Sequence, residues 1–141
     1  MSITIEPCEN FYRAFKEVQL TMNEIIRTVL TDAQISVSEY ELLRIVENSP
    51  EVTAAEATMR MRITGPSVSA LIASLEKKDL ITRMQSADDA RVRHISLTTK
   101  GLHIVRKARD RFTSMLQDRG MNATVLREIT QKLSPLLPPL P

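Results

Sequence analysis

The stretch from residue 53 to residue 97 constrains the fold of this chain more than any other part of its 141 residues. It begins with two runs of helical periodicity, 53–61 and 64–78, separated by only a few residues. Two extended runs follow, 80–85 and 92–98, on either side of a short polar tip. Two short helices followed by a β-hairpin are the outline of a winged helix-turn-helix.

The starts of both short helices are marked by capping residues. Thr53 and Glu56 have the spacing of a capping box, in which the hydroxyl and the carboxylate each accept a hydrogen bond from a backbone N–H. Thr64 is expected to cap the second helix, and Pro66 lies in its first turn, where a missing N–H costs little. Helical spacing then divides the second helix into two faces. The residues expected to be buried are Val68, Leu71, Ile72 and Leu75, and those expected to point outward are Ser67, Ala70, Ser74 and Lys77.

The outward face of the second helix consists mainly of small residues. A face of this kind allows close approach to a DNA groove, where serine hydroxyls and N-terminal N–H groups can contact phosphates and base edges. An ordinary core helix with a solvated face is the competing interpretation. The pattern of charge helps to decide between them.

Basic charge is concentrated on this part of the chain, although the net charge of the whole is only +2. Residues 60–111 carry 12 Lys and Arg against 5 Asp and Glu, whereas residues 1–59 carry 4 against 10. Such a segregation is expected where phosphates are neutralised, although a solvated charged face can produce a similar count. The candidate cations are Arg60, Arg62, Lys77, Lys78, Arg83, Arg91 and Arg93.

Three segments carry a more specific pattern: T-A-A-E-A from Thr53, I-T-G-P-S-V-S-A-L-I-A-S-L-E-K-K-D-L-I-T-R from Ile63, and D-D-A-R-V-R-H-I-S-L-T-T-K-G from Asp88. In this order they resemble the DNA-binding core of MarR-type transcriptional regulators. The last segment is the most specific part of the resemblance, because the family has an Asp, a basic residue and an Arg at the wing tip, followed by Leu-Thr and a Gly. The matching residues are Asp89, Arg91, Leu97, Thr98 and Gly101.

The chain departs from the family pattern at three positions. Ala70 stands where the family commonly has Arg, Ala90 replaces the basic residue at the tip, and Asp79 stands where a Gly usually ends the helix. The resemblance implies that the helix from Thr64 enters the major groove and that Arg91 enters the flanking minor groove. The full set of residues expected at the DNA is Arg60, Arg62, Thr64, Gly65, Pro66, Ser67, Ser69, Ala70, Lys77, Arg83, Asp89, Arg91 and Arg93.

A long amphipathic helix is predicted over residues 7–30. Its apolar residues recur at spacings of three and four, as in a heptad stripe that packs against the chain's own core or against a second copy. These residues are Phe11, Phe15, Val18, Met22, Ile25 and Val29. The next helix is expected to begin at Ser38, which would form a capping box with Glu41. Val37 and Leu42 would pack together as a hydrophobic staple.

Two further helices are predicted after the hairpin. The first carries an apolar stripe from Leu102 and continues to about Asp118, and the second is capped by Asn122 and runs to Leu133. The proline-rich tail, 136–141, is not expected to form a regular helix, and its leucines are expected to clamp a groove.

Together these elements predict a single domain over residues 1–141, mostly α with a small β-hairpin wing (α+β). The winged helix-turn-helix would occupy 36–98, and the resemblance implies that 1–33 and 101–141 form long dimerisation helices. It also implies a homodimer on a pseudo-palindromic operator in double-stranded DNA, in the cytoplasm and nucleoid of a bacterium or archaeon. By the same resemblance, a small aromatic effector would bind where the first, second and fifth helices meet, near Phe15, Tyr40 and Leu102.

Several functional classes are disfavoured by the sequence. No apolar run approaches the roughly 20 residues of a membrane span, and the N-terminus has no signal-peptide pattern, so no membrane partner is expected. A single cysteine, Cys8, gives no disulfide framework, and neither His94 nor His103 has a second ligand at metal-binding spacing. No Gly-rich phosphate loop or nucleophile elbow is present, so we expect neither an enzyme nor a cofactor.

Two alternative interpretations remain open at this point. A winged-helix adaptor that has lost DNA binding would account for Ala70, Ala90 and the acidic N-terminal third of the chain. A redox role for Cys8 would follow the family members that sense peroxides through a cysteine in the first helix. Tyr12 and Tyr40, however, do not fall at the positions of the tyrosines that accompany such a cysteine.

Overall fold

The computed structural model describes residues 1–139. This part of the chain forms six α-helices, one antiparallel β-hairpin and one 3-10 turn. In order they are α1 (Ile5–Ala33), α2 (Val37–Asn48), α3 (Ala54–Met61), α4 (Gly65–Lys77), β1 (Ile81–Gln85), β2 (Arg93–Leu97), α5 (Thr99–Asp118), α6 (Ala123–Leu133) and the turn Ser134–Leu136. The predicted mostly helical architecture with a small wing is confirmed. None of the described helices combines the length and the apolar character that crossing a membrane requires.

The two helices α3 and α4 begin where the sequence predicts. Glu56 N donates to Thr53 Oγ1 at 3.2 Å and Thr53 N donates to Glu56 Oε2 at 3.1 Å, which completes the capping box. Thr64 caps α4 by accepting from Ser67 N at 3.4 Å, with proline in the first turn. Each cap satisfies a backbone donor that the first turn leaves without a partner, which typically stabilises a helix by about 1 kcal/mol.

The predicted start of α2 at Ser38 is wrong. The helix begins at Val37 and is capped by Ser36, whose Oγ accepts from Glu39 N at 3.1 Å. Both serines are able to cap a helix, and burial decides between them, because this start places Glu39 on the buried face at 7% exposure. Val37 is 38% exposed, and Glu41, the expected partner of Ser38, is exposed as well.

One apolar core joins α2, α4, α5, the hairpin and the C-terminal half of α1. The buried stripe of α4 consists of Val68, Ile72 and Leu75, each no more than 1% exposed, while Leu71 is half-buried. Burying a side chain of this size typically contributes about 1.5–3 kcal/mol relative to exposure. The stripe therefore holds α4 on the core and leaves its opposite face free.

Backbone hydrogen bonds join the hairpin to the segment before α3 and close the base of the hairpin. Ile95 N in β2 donates to Val52 O, just before α3, at 2.8 Å. On the other side Thr98 N donates to Leu80 O at 3.1 Å. A Cβ at Gly101 would lie 2.0 Å from the same oxygen, so glycine is required in the first turn of α5. Gly101 thus permits close packing between α5 and the base of the wing.

Both ends of the chain expose apolar side chains. Residues 1–20 are exposed throughout, including Phe11 at 52% and Phe15 at 48%. Of the stripe predicted for α1, Ile25 and Val29 are buried. At the other end, α6 buries none of its residues.

The C-terminal tail differs from the prediction. Leu136 and Leu137 are 70% and 59% exposed, so these two leucines do not clamp a groove within the described chain. The physical reason is that α6, which they follow, offers no buried groove of its own. Leu140, the third leucine of the tail, lies outside the described residues.

Candidate nucleic-acid interface

Small side chains form the outward face of α4 at its N-terminal end. Thr64 Oγ1 and Ser67 Oγ are 2.7 Å apart and share a hydrogen bond. A Cβ at Gly65 would meet nothing within 4 Å, so this end of the helix is open to an approaching surface. The free N–H groups and the positive end of the helix dipole favour an anion here. The exposed residues from the predicted set are Thr64, Gly65, Pro66, Ser67, Ser69, Ala70 and Lys77.

Ser74 is not free on the outward face, contrary to the prediction, because α2 covers this end of the stripe. Its hydroxyl donates to Glu39 Oε1 in α2 at 3.1 Å. Lys78, at the C-cap of α4, also turns inward, because Nζ donates to Glu39 Oε2 at 2.7 Å and to Gln34 O at 3.1 Å. A buried carboxylate needs such donors, and both side chains are engaged by it. Lys78 is therefore removed from the set of free cations.

Two of the predicted DNA-binding arginines have partners inside the chain. Arg60 donates from its guanidinium to Ser49 Oγ and borders a groove between α2 and α3. Arg83 donates from Nε to Glu76 Oε1 at 2.9 Å, which links β1 to the C-terminal half of α4. Ion pairs at the surface are typically weak, at about 0–1 kcal/mol. These contacts nevertheless compete with phosphate for both side chains.

Four other predicted cations are free within the described residues. Arg62, Lys77, Arg91 and Arg93 are exposed, and their side chains make no hydrogen bond or ion pair within residues 1–139. Arg62 ends α3 with a left-handed backbone, φ 56°, two residues before the cap of α4. The free positive charge therefore lies at the turn between the two helices, at the end of α4 and on the wing.

Hydrogen bonds, and not burial, order the wing tip. Asp89 Oδ1 accepts from Arg91 N at 2.9 Å, and Val92 N donates to Asp89 O at 3.0 Å. Gln85 Nε2 donates to Ala90 O at 2.6 Å. Asp89 is thus a turn residue that shapes the backbone carrying Arg91. Sequence spacing does not indicate the part played by Gln85, because its partner is a backbone carbonyl across the hairpin.

Asp79, the third departure from the family pattern, has a left-handed backbone with φ 60°. Leu80 N donates to Leu75 O at 2.9 Å, which closes the end of α4 as in a Schellman motif. Glycine is favoured at such a position because it has no Cβ to clash with the backbone. The end of α4 therefore keeps the left-handed geometry that is usual for glycine, although Asp79 adopts it less readily.

The three residues expected at an effector pocket lie in different surroundings. Phe15 is on the exposed half of α1 and stacks on Phe11, with ring centroids 6.0 Å apart. Tyr40 is buried, and burial raises the pKa of its hydroxyl although the nearby Arg44 guanidinium acts to lower it. Leu102 is half-buried beside a shallow groove on α5.

A cavity of about 380 Å³ lies between the end of α1 and α5. None of the three residues expected at an effector pocket is among those that line it. Asp32 of α1 and Arg111 of α5 form an ion pair in its wall. The remaining polar lining comes from Gln34, His103 and Lys107.

His94 makes a contact that supports the fold, whereas the single cysteine lies at the surface. His94 Nδ1 lies 2.6 Å from Glu51 O, which fastens the wing to the loop before α3. Cys8 is an exposed free thiol. The described residues hold no group of three His, Cys, Asp or Glu that is placed to bind a metal ion.

Residues 33–92 match the model of the MarR family. Two curated relatives are similar over most of the chain. YpoP of Bacillus subtilis (strain 168), an uncharacterized HTH-type transcriptional regulator, is 25% identical over 101 residues, which are 72% of this chain and 68% of that protein. The homoprotocatechuate degradative operon repressor of Escherichia coli is 24% identical over 111 residues, which are 79% of this chain and 74% of that protein.

Solved structures share the fold along nearly the whole chain. A MarR family protein from Bacillus stearothermophilus has a TM-score of 0.83 at 16% identity, with 96% of each chain covered. Staphylococcus aureus MarR in complex with salicylate and kanamycin has a TM-score of 0.81 at 18% identity, covering 94% of this chain and 91% of that one. A mutant of MepR from Staphylococcus aureus bound to an oligodeoxyribonucleotide has a TM-score of 0.69 at 24% identity, covering 89% and 94%.

Proposed function

We propose that this chain is a MarR-type transcriptional regulator, which the family match of residues 33–92 supports, and that it acts as a homodimer that binds a pseudo-palindromic operator in double-stranded DNA. The observation that carries the proposal is the small-residue end of α4, which is exposed and open. The E. coli relative that is named an operon repressor supports a regulatory role, and the MepR mutant bound to an oligodeoxyribonucleotide supports DNA as the partner.

In this proposal the N-terminal end of α4 enters the major groove. Ser67 and Ser69 then reach base edges or phosphates, and the N-terminal N–H groups of the helix bind phosphate. Ala70 offers only a methyl group, which suits apolar contact with the methyl group of thymine. Arg62 and Lys77, which are free of internal partners in the described chain, neutralise phosphates on either side.

The wing is proposed to place Arg91 in the adjacent minor groove. Residues 86–91 contain no other Lys or Arg, so Arg91 alone supplies positive charge at the tip. The hydrogen bond from Arg91 N to Asp89 holds the backbone in a fixed turn, which lowers the entropy that the contact loses on binding. Arg93, further back on β2, contacts a phosphate.

A second copy of the chain is proposed to cover the exposed ends. Residues 1–33 and 101–141 then form the dimer interface, and 36–98 form the DNA-binding region. Apolar side chains such as Phe11 and Phe15 lose water contact in that interface, which is the main driving force for association. Two copies of α4 would enter successive major grooves on one side of the DNA, about 34–36 Å apart.

A small aromatic effector is proposed to alter the distance between the two copies of α4. The likeness to Staphylococcus aureus MarR in complex with salicylate and kanamycin supports a small-molecule ligand. Phe15 is open in the single chain, so a site that includes Phe15, Tyr40 and Leu102 requires the second copy to complete it. An effector there would bind more tightly to one dimer geometry than to the other, and DNA binding would change by the same coupling.

The decisive experiment compares Arg91→Ala with Arg44→Ala, which removes the same charge from an exposed position on α2 outside the residues proposed to contact DNA. Affinity is measured by fluorescence anisotropy on the duplex that the wild type selects from random DNA, at two salt concentrations. Arg91→Ala is expected to weaken binding by about 1–3 kcal/mol and to reduce the slope of log K against log salt by about 1. Equal affinity of Arg91→Ala and wild type at both salt concentrations would contradict the role given to the wing.

A second variant tests α4 in the same assay. Ser67→Glu places a carboxylate against the phosphates and is expected to abolish binding. It should not destabilise the protein, because Glu three residues after Thr64 completes a capping box. Ser38→Glu, an exposed serine on α2, is the matched control and should bind normally. Full binding by Ser67→Glu would show that α4 is oriented differently, and absence of salt-dependent binding by the wild type would favour a winged-helix adaptor.

A further inference from the structure

Glu39 is the only buried charged side chain in the described part of the chain, at 7% exposure. Oε1 accepts from Ser74 Oγ at 3.1 Å and Oε2 accepts from Lys78 Nζ at 2.7 Å. A carboxylate in this environment is costly unless its oxygens are hydrogen-bonded. The two contacts from α4 are therefore strongly favoured over any arrangement in which α4 turns away from Glu39.

The two donors and the tip of α4 lie on one side of the helix. Ser74 and Lys78 are four residues apart, and Ser67 lies seven residues before Ser74, so the three side chains follow one helical stripe. An α-helix rises about 1.5 Å per residue, so Ser67 is about 10 Å along the axis from the first contact. A rotation of α4 about its axis would move Ser67 sideways and would break both contacts to Glu39.

Apolar packing alone does not fix this rotation as tightly. The stripe of Val68, Ile72 and Leu75 is held by hydrophobic burial, which has no preferred direction. Hydrogen bonds and charge-assisted contacts are directional. Lys78 Nζ donates to Gln34 O at 3.1 Å as well, so the C-terminal end of α4 is fastened to α2 and to the end of α1.

We infer that Glu39 is a positioning residue that sets the rotation of α4 and thereby determines which side chains meet the base edges. The inference rests on the proposed function of α4 as the DNA-reading helix. Glu39 lies in α2 and would not itself contact DNA. Its role in sequence discrimination would be to orient α4. Contacts to phosphates at the helix turn and the wing should depend on Glu39 much less.

The experiment measures the ratio of affinity for the selected duplex to affinity for a scrambled duplex of the same length and composition. Glu39→Gln keeps the side-chain length and removes the charge that binds Lys78. Glu47→Gln is the matched control, because Glu47 is also a partly buried carboxylate of α2 but pairs with Arg106 and Arg109 of α5. Glu39→Gln is expected to lower the ratio about tenfold, and Glu47→Gln should leave it unchanged.

A second variant and a second measurement make the inference independent of one substitution. Ser74→Ala removes the other donor without harming helix formation, and it should lower the ratio several-fold in the same direction. In the DNA-free protein, amide hydrogens of residues 65–77 should exchange faster in Glu39→Gln than in Glu47→Gln.

The possible outcomes separate this inference from the proposed function. A wild-type protein that selects no duplex contradicts the proposed function and this role together. A wild type that selects a duplex, while Glu39→Gln and Ser74→Ala keep the full ratio, contradicts only the role of Glu39. Equal loss of affinity for both duplexes, in proportion to lost thermal stability, would show that Glu39 serves the fold alone.

Discussion

The winged region, residues 36–98, buries most of its large apolar side chains, whereas the two chain ends, residues 1–20 and α6, expose theirs. In the winged region Leu42, Val68 and Leu75 are fully buried within a single chain. In the first 20 residues every side chain is exposed, and α6 buries none. Exposed apolar residues gathered on two helices usually mark an interaction surface. The winged region therefore buries its apolar residues within one chain, whereas the apolar side chains of the first 20 residues and of α6 remain in contact with water.

Polar contacts follow this division at α1 but not at α6, where Asn122 Oδ1 accepts from Val125 N at 2.9 Å. A side chain caps each of the helices α2, α3, α4 and α5, and each cap satisfies a backbone donor. The N-cap of α1 is Thr4, which makes no side-chain hydrogen bond within the described residues. The winged region is therefore closed in its polar groups as well as in its apolar core.

The largest effect should come from a single methyl group at the joint between the wing and α5. Gly101→Ala would place a Cβ 2.0 Å from Leu80 O, so the backbone must shift. We expect a loss of about 3 kcal/mol in the free energy of unfolding, measured by urea denaturation. Gly65→Ala, where a Cβ meets nothing within 4 Å, is the control and should change stability little. Equal urea midpoints for both variants would contradict close packing between Gly101 and Leu80 O.

The second largest effect should come from a charge on the exposed stripe of α1, which should weaken dimerisation. Phe15→Glu puts a carboxylate on the surface that is proposed to meet the second copy. The dimer dissociation constant from analytical ultracentrifugation should rise about 100-fold, equivalent to about 2.7 kcal/mol. Asn23→Glu, an exposed position on a different face of α1, should leave it unchanged. If the two variants dimerise equally, the open end of α1 serves something other than self-association.

The smallest effect should be a gain in stability at the end of α4. Asp79→Gly relieves a side chain from a left-handed backbone, φ 60°, and should raise the free energy of unfolding by about 0.5–1 kcal/mol. Asp79→Ala removes the charge but keeps the Cβ, so it should give no such gain. A gain in the alanine variant would assign the effect to charge and not to backbone geometry. Thermal unfolding monitored by circular dichroism distinguishes the two.

Features set by neighbouring residues could be predicted from the sequence. The capping box of Thr53 and Glu56 and the cap at Thr64 each act within three residues, so their geometry is already implied by spacing. The buried stripe of α4 follows from helical periodicity for the same reason. The order of the helices and the two wing strands was likewise predicted.

Features set by distant residues could not be predicted in this way. Glu39 and Lys78 are 39 residues apart, and neither residue indicates its partner through local spacing. The same holds for Arg60, a predicted DNA contact whose guanidinium donates to Ser49, 11 residues earlier. The choice of Ser36 over Ser38 as the cap of α2 also depends on which residues the core buries. Tertiary packing therefore decided which charged side chains remained free.

The wing tip has a consequence for protein design. Its shape comes from hydrogen bonds between residues at most seven positions apart, from Gln85 to Val92, and every residue from 85 to 92 is exposed or half-buried. A segment that holds its own shape without help from a core is portable. Residues 85–92 should therefore keep the turn that carries Arg91 when they replace the tip of another antiparallel hairpin with the same strand spacing.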